Sequence, residues 1–316
     1  MTSVADFIKL PKKDFHSSLD LGMRYPSFVT WAGFYVPDFP EDGSPVKIEM
    51  RSQVHEYTSM RIATEDDIKK LLFLSISENL ADNIIQTNAA IDSKLFQNCK
   101  KNCEFFQFLK TKIQKYSDRT KSEAFFALDA DTVDFKEKNL QFAKSFLLNE
   151  NSKELFKGIY FYGKNILDLT ENSKELKKMI QTAKKNGLKI RVNLSSVDSA
   201  NDFFKVLDFF EPQVLINADC ATNFGEILTF LKKNSIQTVI TPETQFKDKK
   251  IDFSEKAKRM RSFLEAGIET FLGTQSILLF NKSISQLASE LCNTGLFTKE
   301  EMLSILKIAK DKPSKA

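Results

Sequence analysis

The chain alternates between short apolar runs and helical patterns, and this alternation constrains its fold more than any other feature. Eight runs have the composition of β-strands, and several are apolar at consecutive positions, as strands covered on both faces are. They are residues 15–19, 84–91, 124–128, 159–162, 189–194, 214–216, 238–240 and 270–272. These runs indicate parallel strands that are buried on both sides.

Amphipathic helical patterns lie between the runs. Apolar residues repeat along one helix face at 140–148, 176–183, 203–210, 224–231, 257–264 and 284–291. Gly187 follows the second pattern as a C-terminal stop. Thr298 and Glu301 have the spacing of a capping box at the start of a last helix.

Strand–helix alternation repeated eight times predicts an α/β protein with a (β/α)8 TIM barrel. A doubly wound open sheet is the alternative, but no Gly-rich phosphate loop follows any of the strands. We expect one barrel domain over residues 1–310. Residues 34–63 hold three prolines and predict an insertion or lid after the first strand, and 311–316 predict a disordered tail.

Composition limits the partners and the compartment. The net charge is +4, from 46 basic and 42 acidic residues, which is too balanced to indicate a nucleic-acid or membrane surface. Cys99 and Cys103 have no second cysteine pair to complete a structural zinc site, so reduced thiols in a cytoplasmic protein are the simpler interpretation. Asp6 interrupts the N-terminal apolar run, so we expect no signal peptide, and no run is long enough for a membrane span.

Active sites of such barrels lie at the C-terminal ends of the strands. The polar residues and one glycine at these ends are His16, Ser18, Asp20, Asn88, Asp129, Asp131, Gly163, Lys164, Asn193, Ser195, Ser196, Asn217, Asp219, Glu243, Gln275 and Ser276. This set follows from the barrel prediction alone and gives the candidate site residues.

Residues 10–20 read Leu-Pro-Lys-Lys-Asp-Phe-His-Ser-Ser-Leu-Asp. This stretch resembles the opening strand of the adenosine deaminase family in the amidohydrolase superfamily, where Leu-Pro-Lys leads to His-x-His and then Leu-Asp. Segments 157–164, 186–196, 214–218, 238–243, 266–276 and 295–301 are similar to later parts of that family in the same order. The resemblance implies an amidohydrolase-like TIM barrel with a pocket for a purine nucleoside.

The resemblance also implies where the family binds zinc. The first-strand histidine pair corresponds to His16 and Ser18, and a third zinc-binding His corresponds to Asn193. Two consecutive Asp residues, which bind zinc and substrate in the family, correspond to Gln275 and Ser276. Only one of the expected zinc-binding side chains is therefore kept.

Four further positions complete the implied pocket. The catalytic Glu of the family corresponds to Ser196, and the His that activates water corresponds to Asn217. The glycine that contacts the purine is kept as Gly163, and the Asp that contacts the ribose is kept as Asp20. Together with the preceding five positions, these residues are the predicted ligand-binding set.

A catalytic zinc needs about three ligands from His, Cys, Asp or Glu. His16 alone cannot hold it, and His55 lies in the insertion and matches no ligand position. We therefore expect no zinc and no other cofactor. Loss of the general acid–base group costs a further factor of roughly 10²–10⁴ in rate. The expectation is that this chain does not deaminate by the family mechanism.

Three hypotheses remain open from the sequence. The first is a degenerate, non-catalytic barrel that binds a purine nucleoside or regulates; its amides either read the ligand or simply fill the former metal cavity. The second is an active deaminase or hydrolase with a metal site rebuilt from Asp129, Asp131, Asp219 or Glu243, although these are more typical of solvated loop acids. The third is a scaffold or interaction protein that keeps only the barrel, with a protein partner that the sequence does not identify.

Overall fold

The computed structural model describes residues 2–37, 46–97, 108–109, 111, 115–117, 120–131, 154–242 and 253–307. Several predicted features lie outside these residues. They are residues 38–45 of the insertion, the helical pattern at 140–148, the cysteine pair, Glu243 and the tail at 311–316.

The described strands form one sheet. They are β1 (Lys12–Ser18), β2 (Ile84–Asp92), β3 (Lys115–Ser117), β4 (Thr120–Asp129), β5 (Phe156–Tyr162), β6 (Lys189–Asn193), β7 (Val214–Ile216), β8 (Gln237–Ile240) and β9 (Thr270–Leu272). Neighbours pair in parallel in the order β1-β2-β4-β5-β6-β7-β8-β9, and β3 pairs antiparallel with β4. All eight predicted runs coincide with the parallel strands, and β3 was not predicted.

The sheet closes into a barrel where β9 returns to β1. Ser17 and Gln275 form a parallel bridge. The Ser18 amide donates to the Gln275 carbonyl over 2.6 Å, and the Gln275 amide donates to the His16 carbonyl over 2.8 Å. The predicted (β/α)8 barrel is therefore confirmed, and its first and last strands meet through the backbone of candidate site residues.

The first helix precedes β1, and the other described helices lie between or after the parallel strands in the chain. The described helices are α1 (Ala5–Ile8), α2 (Tyr25–Ala32), α3 (Val46–Arg61), α4 (Glu65–Ala81), α5 (Lys94–Gln97), α6 (Asp168–Asn172), α7 (Lys174–Lys185), α8 (Ala200–Phe210), α9 (Gly225–Lys233), α10 (Phe253–Glu265), α11 (Ile277–Phe280), α12 (Ile284–Asn293) and α13 (Lys299–Ile305). The capping box of α13 is confirmed, because the Thr298 hydroxyl accepts from the Glu301 amide and the Glu301 carboxylate accepts from the Thr298 amide.

The apolar core has separate layers. The largest cluster joins the outer faces of the strands to the helices, and it includes the predicted faces of α7 and α8. A second cluster fills the barrel interior, with Phe125, Tyr160, Tyr162 and Phe271 among its large members. Burial on both sides explains why the strands are apolar at consecutive positions.

A third cluster lies beside the mouth of the barrel. It joins α2, α3, α4 and α11 through buried residues that include Phe28, Val54, Leu71 and Leu278. Helix α3 occupies residues 46–61 of the predicted insertion and is fixed by this packing. Among the described helices, none has both the length and the apolar composition needed to cross a membrane.

Candidate functional site

The nine predicted ligand-binding residues lie at the C-terminal ends of the barrel strands. They are His16, Ser18, Asp20, Gly163, Asn193, Ser196, Asn217, Gln275 and Ser276. Eight of them end or follow a parallel strand, and His16 lies within β1 two residues before its end, so the closed sheet brings them to one mouth. Asn88 lies within β2 rather than at its end, which is a correction to the strand-end prediction.

Two of the amides at this mouth are joined through a threonine. The Thr241 hydroxyl oxygen lies 2.9 Å from Asn217 Oδ1 and 3.0 Å from Gln275 Oε1, so its single proton serves either acceptor. The Thr241 backbone amide also donates to Asn217 Oδ1 over 3.1 Å, and Asn217 Nδ2 donates to Gln275 Oε1 over 3.4 Å. All three residues are buried. They form a compact hydrogen-bonded group at the ends of β7, β8 and β9.

The backbone of this group is locally constrained. Asn217 and Gln275 have φ values of 52° and 58°, in the left-handed region that few non-glycine residues occupy. Such conformations persist only where the surrounding structure enforces them, and they cluster at functional sites. The unusual backbone places both amide side chains in the same buried group.

His16 contacts a second polar group at the mouth. Its ring packs edge-on against Tyr160, with centroids 4.4 Å apart. The Tyr160 hydroxyl accepts from Asn193 Nδ2 over 3.2 Å, and Asn193 Oδ1 accepts from the Ser195 amide over 2.9 Å. Phe15 also contacts an interior ring, because the register of β1 is irregular between residues 14 and 17. Consecutive side chains of β1 can therefore both face interior residues.

These residues do not fit the zinc that the fold family implies. A zinc site needs about three nitrogen, sulfur or carboxylate donors. At the family positions, His16 is the one such donor, and the amides of Asn193 and Gln275 contribute neutral oxygen and nitrogen atoms that already bind Tyr160, Ser195 and Thr241. No reaction step through a zinc ion at these positions follows from this arrangement.

The other predicted residues have local partners. Ser276 caps α11, because its hydroxyl accepts from the Leu279 amide over 3.1 Å, and it lies 3.2 Å from the Leu21 carbonyl. The Ser196 hydroxyl lies 3.5 Å from the Gly163 carbonyl. Ser276 therefore has a structural role in addition to its place at the mouth.

The acids of the alternative metal hypothesis are spread among separate contacts. Asp129 pairs with Lys94 at 3.0 Å, and buried Asp219 lies 3.7 Å from Lys256. Asp131 is exposed and accepts from the Asn165 amide over 2.9 Å. Within the described part of the chain, these three do not form a common metal-binding cluster.

A different set of metal-binding side chains does converge. Asp20 follows β1, Asp92 ends β2, and His55 reaches the mouth from α3. His55 Nδ1 lies 3.9 Å from Asp20 Oδ2, and His55 Nε2 lies 3.8 Å from Asp92 Oδ2. Both carboxylates are buried, and each of the three residues offers one donor atom within 4.8 Å of the others.

The environment of Asp92 favours its ionised form. Burial alone would raise the pKa of this carboxyl, but His55, Lys94 and the hydroxyl of Tyr162 together hold it below its ordinary value. Tyr162 donates to Asp92 Oδ2, and the Lys94 amide donates to Oδ1 over 2.8 Å. Asp92 is therefore a charged, oriented group at the mouth.

The sequence did not identify two members of this set. The predicted second strand ended at residue 91, one position short, so Asp92 was not included among the strand ends. His55 was set aside because it lies in the insertion. The strand-end rule with a one-residue margin would have found Asp92, whereas nothing local in the sequence places a residue of α3 over β1 and β2.

No protein-family model matches the chain. It is 23% identical over 311 residues to a "putative adenosine/adenine deaminase" from Treponema pallidum, which covers 98% of this chain and 100% of that protein. The sequence likeness therefore extends over the whole length of both chains.

Solved structures give the same architecture. Arabidopsis ADAL complexed with IMP has a TM-score of 0.70 at 16% identity, over 96% of this chain and 92% of that one. An amidohydrolase from Burkholderia ambifaria with bound Zn has a TM-score of 0.68 at 12% identity, over 96% and 91%. At these identities the likeness establishes the fold alone, a (β/α)8 barrel.

Proposed function

We propose that this chain binds a purine nucleoside or nucleotide without deaminating it by the zinc mechanism of the adenosine/adenine deaminase family. The proposal rests on its relationship, over its whole length, to that family of the amidohydrolase superfamily. One observation carries the proposal. The family's metal and acid–base positions hold the neutral residues Asn193, Asn217 and Gln275, which are buried and hydrogen-bonded.

The zinc ion and the general base that the family positions lack would both act in one step, the activation of water. A zinc-bound water is acidic enough to form hydroxide near neutral pH, and bulk water is not. Asn217 stands where the family activates that water, and an amide does not accept a proton at neutral pH. The residues at the family positions can thus hold a ligand, but they supply neither the nucleophile nor the general base.

The same residues suit purine recognition. Each amide offers a donor and an acceptor, which matches the mixed edge of a purine ring. Asp20 and Gly163 keep the positions that the resemblance assigns to the ribose and the base. The structural relative ADAL is complexed with IMP, which supports testing nucleotides as well as nucleosides.

The test is purine-dependent stability. We expect adenosine, inosine, AMP or IMP to raise the free energy of unfolding, by about 2.7 kcal/mol at 100 times the dissociation constant. Asn193→Ala should reduce this shift. Asn234→Ala, an exposed residue beyond the C-terminus of α9 and away from the mouth, should leave it unchanged.

Turnover and stability together separate the hypotheses. Incubation of adenosine or AMP with the protein should release no ammonia above the rate without protein. Absence of any purine-dependent shift would contradict the proposal and favour a scaffold role for the barrel.

A second candidate function is an active deaminase or hydrolase with a rebuilt metal site. The convergence of Asp20, His55 and Asp92 favours it, because these residues supply metal donors where the family positions do not. Deamination that depends on an added divalent ion and is lost in His55→Gln would establish this alternative.

A further inference from the structure

We propose that Asp20, His55 and Asp92 bind one divalent metal ion at the mouth of the barrel. This site uses none of the residues at the family's zinc-ligand positions. It goes beyond purine binding, and it stands or fails separately from the proposed function.

The distances between the donors fit a shared ion. The separations of 3.9 Å between His55 Nδ1 and Asp20 and of 3.8 Å between His55 Nε2 and Asp92 are too long for hydrogen bonds, and they join the two carboxylates to different ring nitrogens. Donors that each lie about 2.1 Å from one zinc ion are about 3–4 Å apart, depending on the angle between them. One ring nitrogen of His55 and one oxygen from each carboxylate, all within 4.8 Å of one another, are therefore close to the spacing of ligands around one cation.

One of the ligands is already oriented. Tyr162 from the end of β5 and the backbone amide of Lys94 both donate to the Asp92 carboxylate. Hydrogen bonds of this kind fix the ligands of metal sites and typically matter 10- to 100-fold for affinity. The Asp92 carboxylate is thus held in place while it faces His55.

Burial supplies the driving force. Asp20 and Asp92 are each 3% exposed. Two buried carboxylates near each other repel, and each loses its hydration. A divalent ion carries two positive charges and matches the two carboxylates, whereas Lys94, a cation already near Asp92, also pairs with Asp129.

The donor set indicates the class of ion. An imidazole with two carboxylates suits first-row ions such as Zn²⁺ and Mn²⁺ better than Ca²⁺ or Mg²⁺, which prefer oxygen ligands alone. Three protein ligands leave positions for water or for ligand oxygens. Because His55 comes from α3, the ion would also join this helix to the ends of β1 and β2.

The experiment measures metal bound by the full chain, purified without a His tag and stripped with a chelator. Zn²⁺ or Mn²⁺ alone is added, excess ion is removed, and metal per chain is determined by mass spectrometry. We expect about one ion per chain, with affinity at least about tenfold weaker in His55→Gln and in Asp92→Asn. Asp208→Asn, the same change at an exposed carboxylate on α8, should bind as the unaltered protein does.

Each outcome decides the proposal. His55 is partly exposed on a helix, so His55→Gln should keep the fold. The unfolding midpoint of the variant, measured without metal, checks this. If that midpoint falls, Asp20→Asn replaces His55→Gln in the binding experiment. No binding of either ion would overturn the site. Binding lost in His16→Gln and kept in His55→Gln would place the ion at the family positions and overturn the site as well. Neither result depends on whether a purine stabilises the protein.

Discussion

Asp14 joins the two ends of the barrel sheet, and its raised pKa makes the stability of the protein depend on pH. It is buried on β1, and its carboxylate accepts from the Thr274 hydroxyl over 2.6 Å and from the amides of Thr274 and His16. It thereby ties the first strand to the segment after the last. Burial raises the pKa of Asp14 to about 7, although these hydrogen bonds oppose the rise.

The raised pKa predicts a stability that falls with pH. Between pH 3.8 and about 7 the folded protein keeps the proton on Asp14 and the unfolded chain releases it. The folded state binds more protons in this window, so the free energy of unfolding declines as pH rises, by up to about 1.4 kcal/mol per pH unit from this group. The stabilisation is present in full below pH 3.8 and is lost as the pH passes about 7.

Asp14→Asn tests this account. The amide resembles the neutral acid and does not titrate, so the variant should lose less stability than the unaltered protein between pH 5 and pH 8 in urea unfolding. Asp208→Asn, at an exposed carboxylate, should retain the original slope. An unchanged pH dependence in Asp14→Asn would contradict the raised pKa.

At the scale of elements, the seam between β1 and β9 depends on one glycine. A Cβ at Gly273 would lie 2.6 Å from the His16 carbonyl oxygen and 2.9 Å from the His16 amide. Both are backbone atoms, so the strands themselves would have to move. Only glycine permits this close approach.

Gly273→Ala should therefore destabilise the protein by about 1–3 kcal/mol, as overpacking of a core does. Gly225→Ala is the matched control, because a Cβ there meets nothing within 4 Å and its φ is not positive. Equal unfolding midpoints for the two variants would show that the seam tolerates a wider spacing.

The strands were largely predictable because burial on both faces leaves a continuous apolar pattern. The runs at 214–216 and 270–272 match β7 and β9 residue for residue, and the other boundaries differ by at most four residues. Strand β3 is short and polar and left no such signal. Helix α3 has a polar sequence with a weakly apolar face, so its packing over the mouth depends on tertiary contacts that no local pattern records.

At the scale of the whole molecule, the barrel turns distant residues into one site. Sequence resemblance and the strand-end rule placed His16, Asn193, Asn217 and Gln275 at the mouth, and the structure brings them there. Their hydrogen bonds through Tyr160 and Thr241 were not predictable, because they depend on the registers of separate strands. The same holds for His55, whose approach to Asp20 and Asp92 is set by how α3 packs.

The central claim is that this barrel holds a purine and leaves it chemically unchanged. Equilibrium dialysis of adenosine or AMP against the protein, followed by chromatography of both compartments, tests both parts at once. The account predicts an excess of the unaltered purine on the protein side, which saturates with concentration. Equal concentrations in both compartments, or conversion to inosine or IMP, would contradict it.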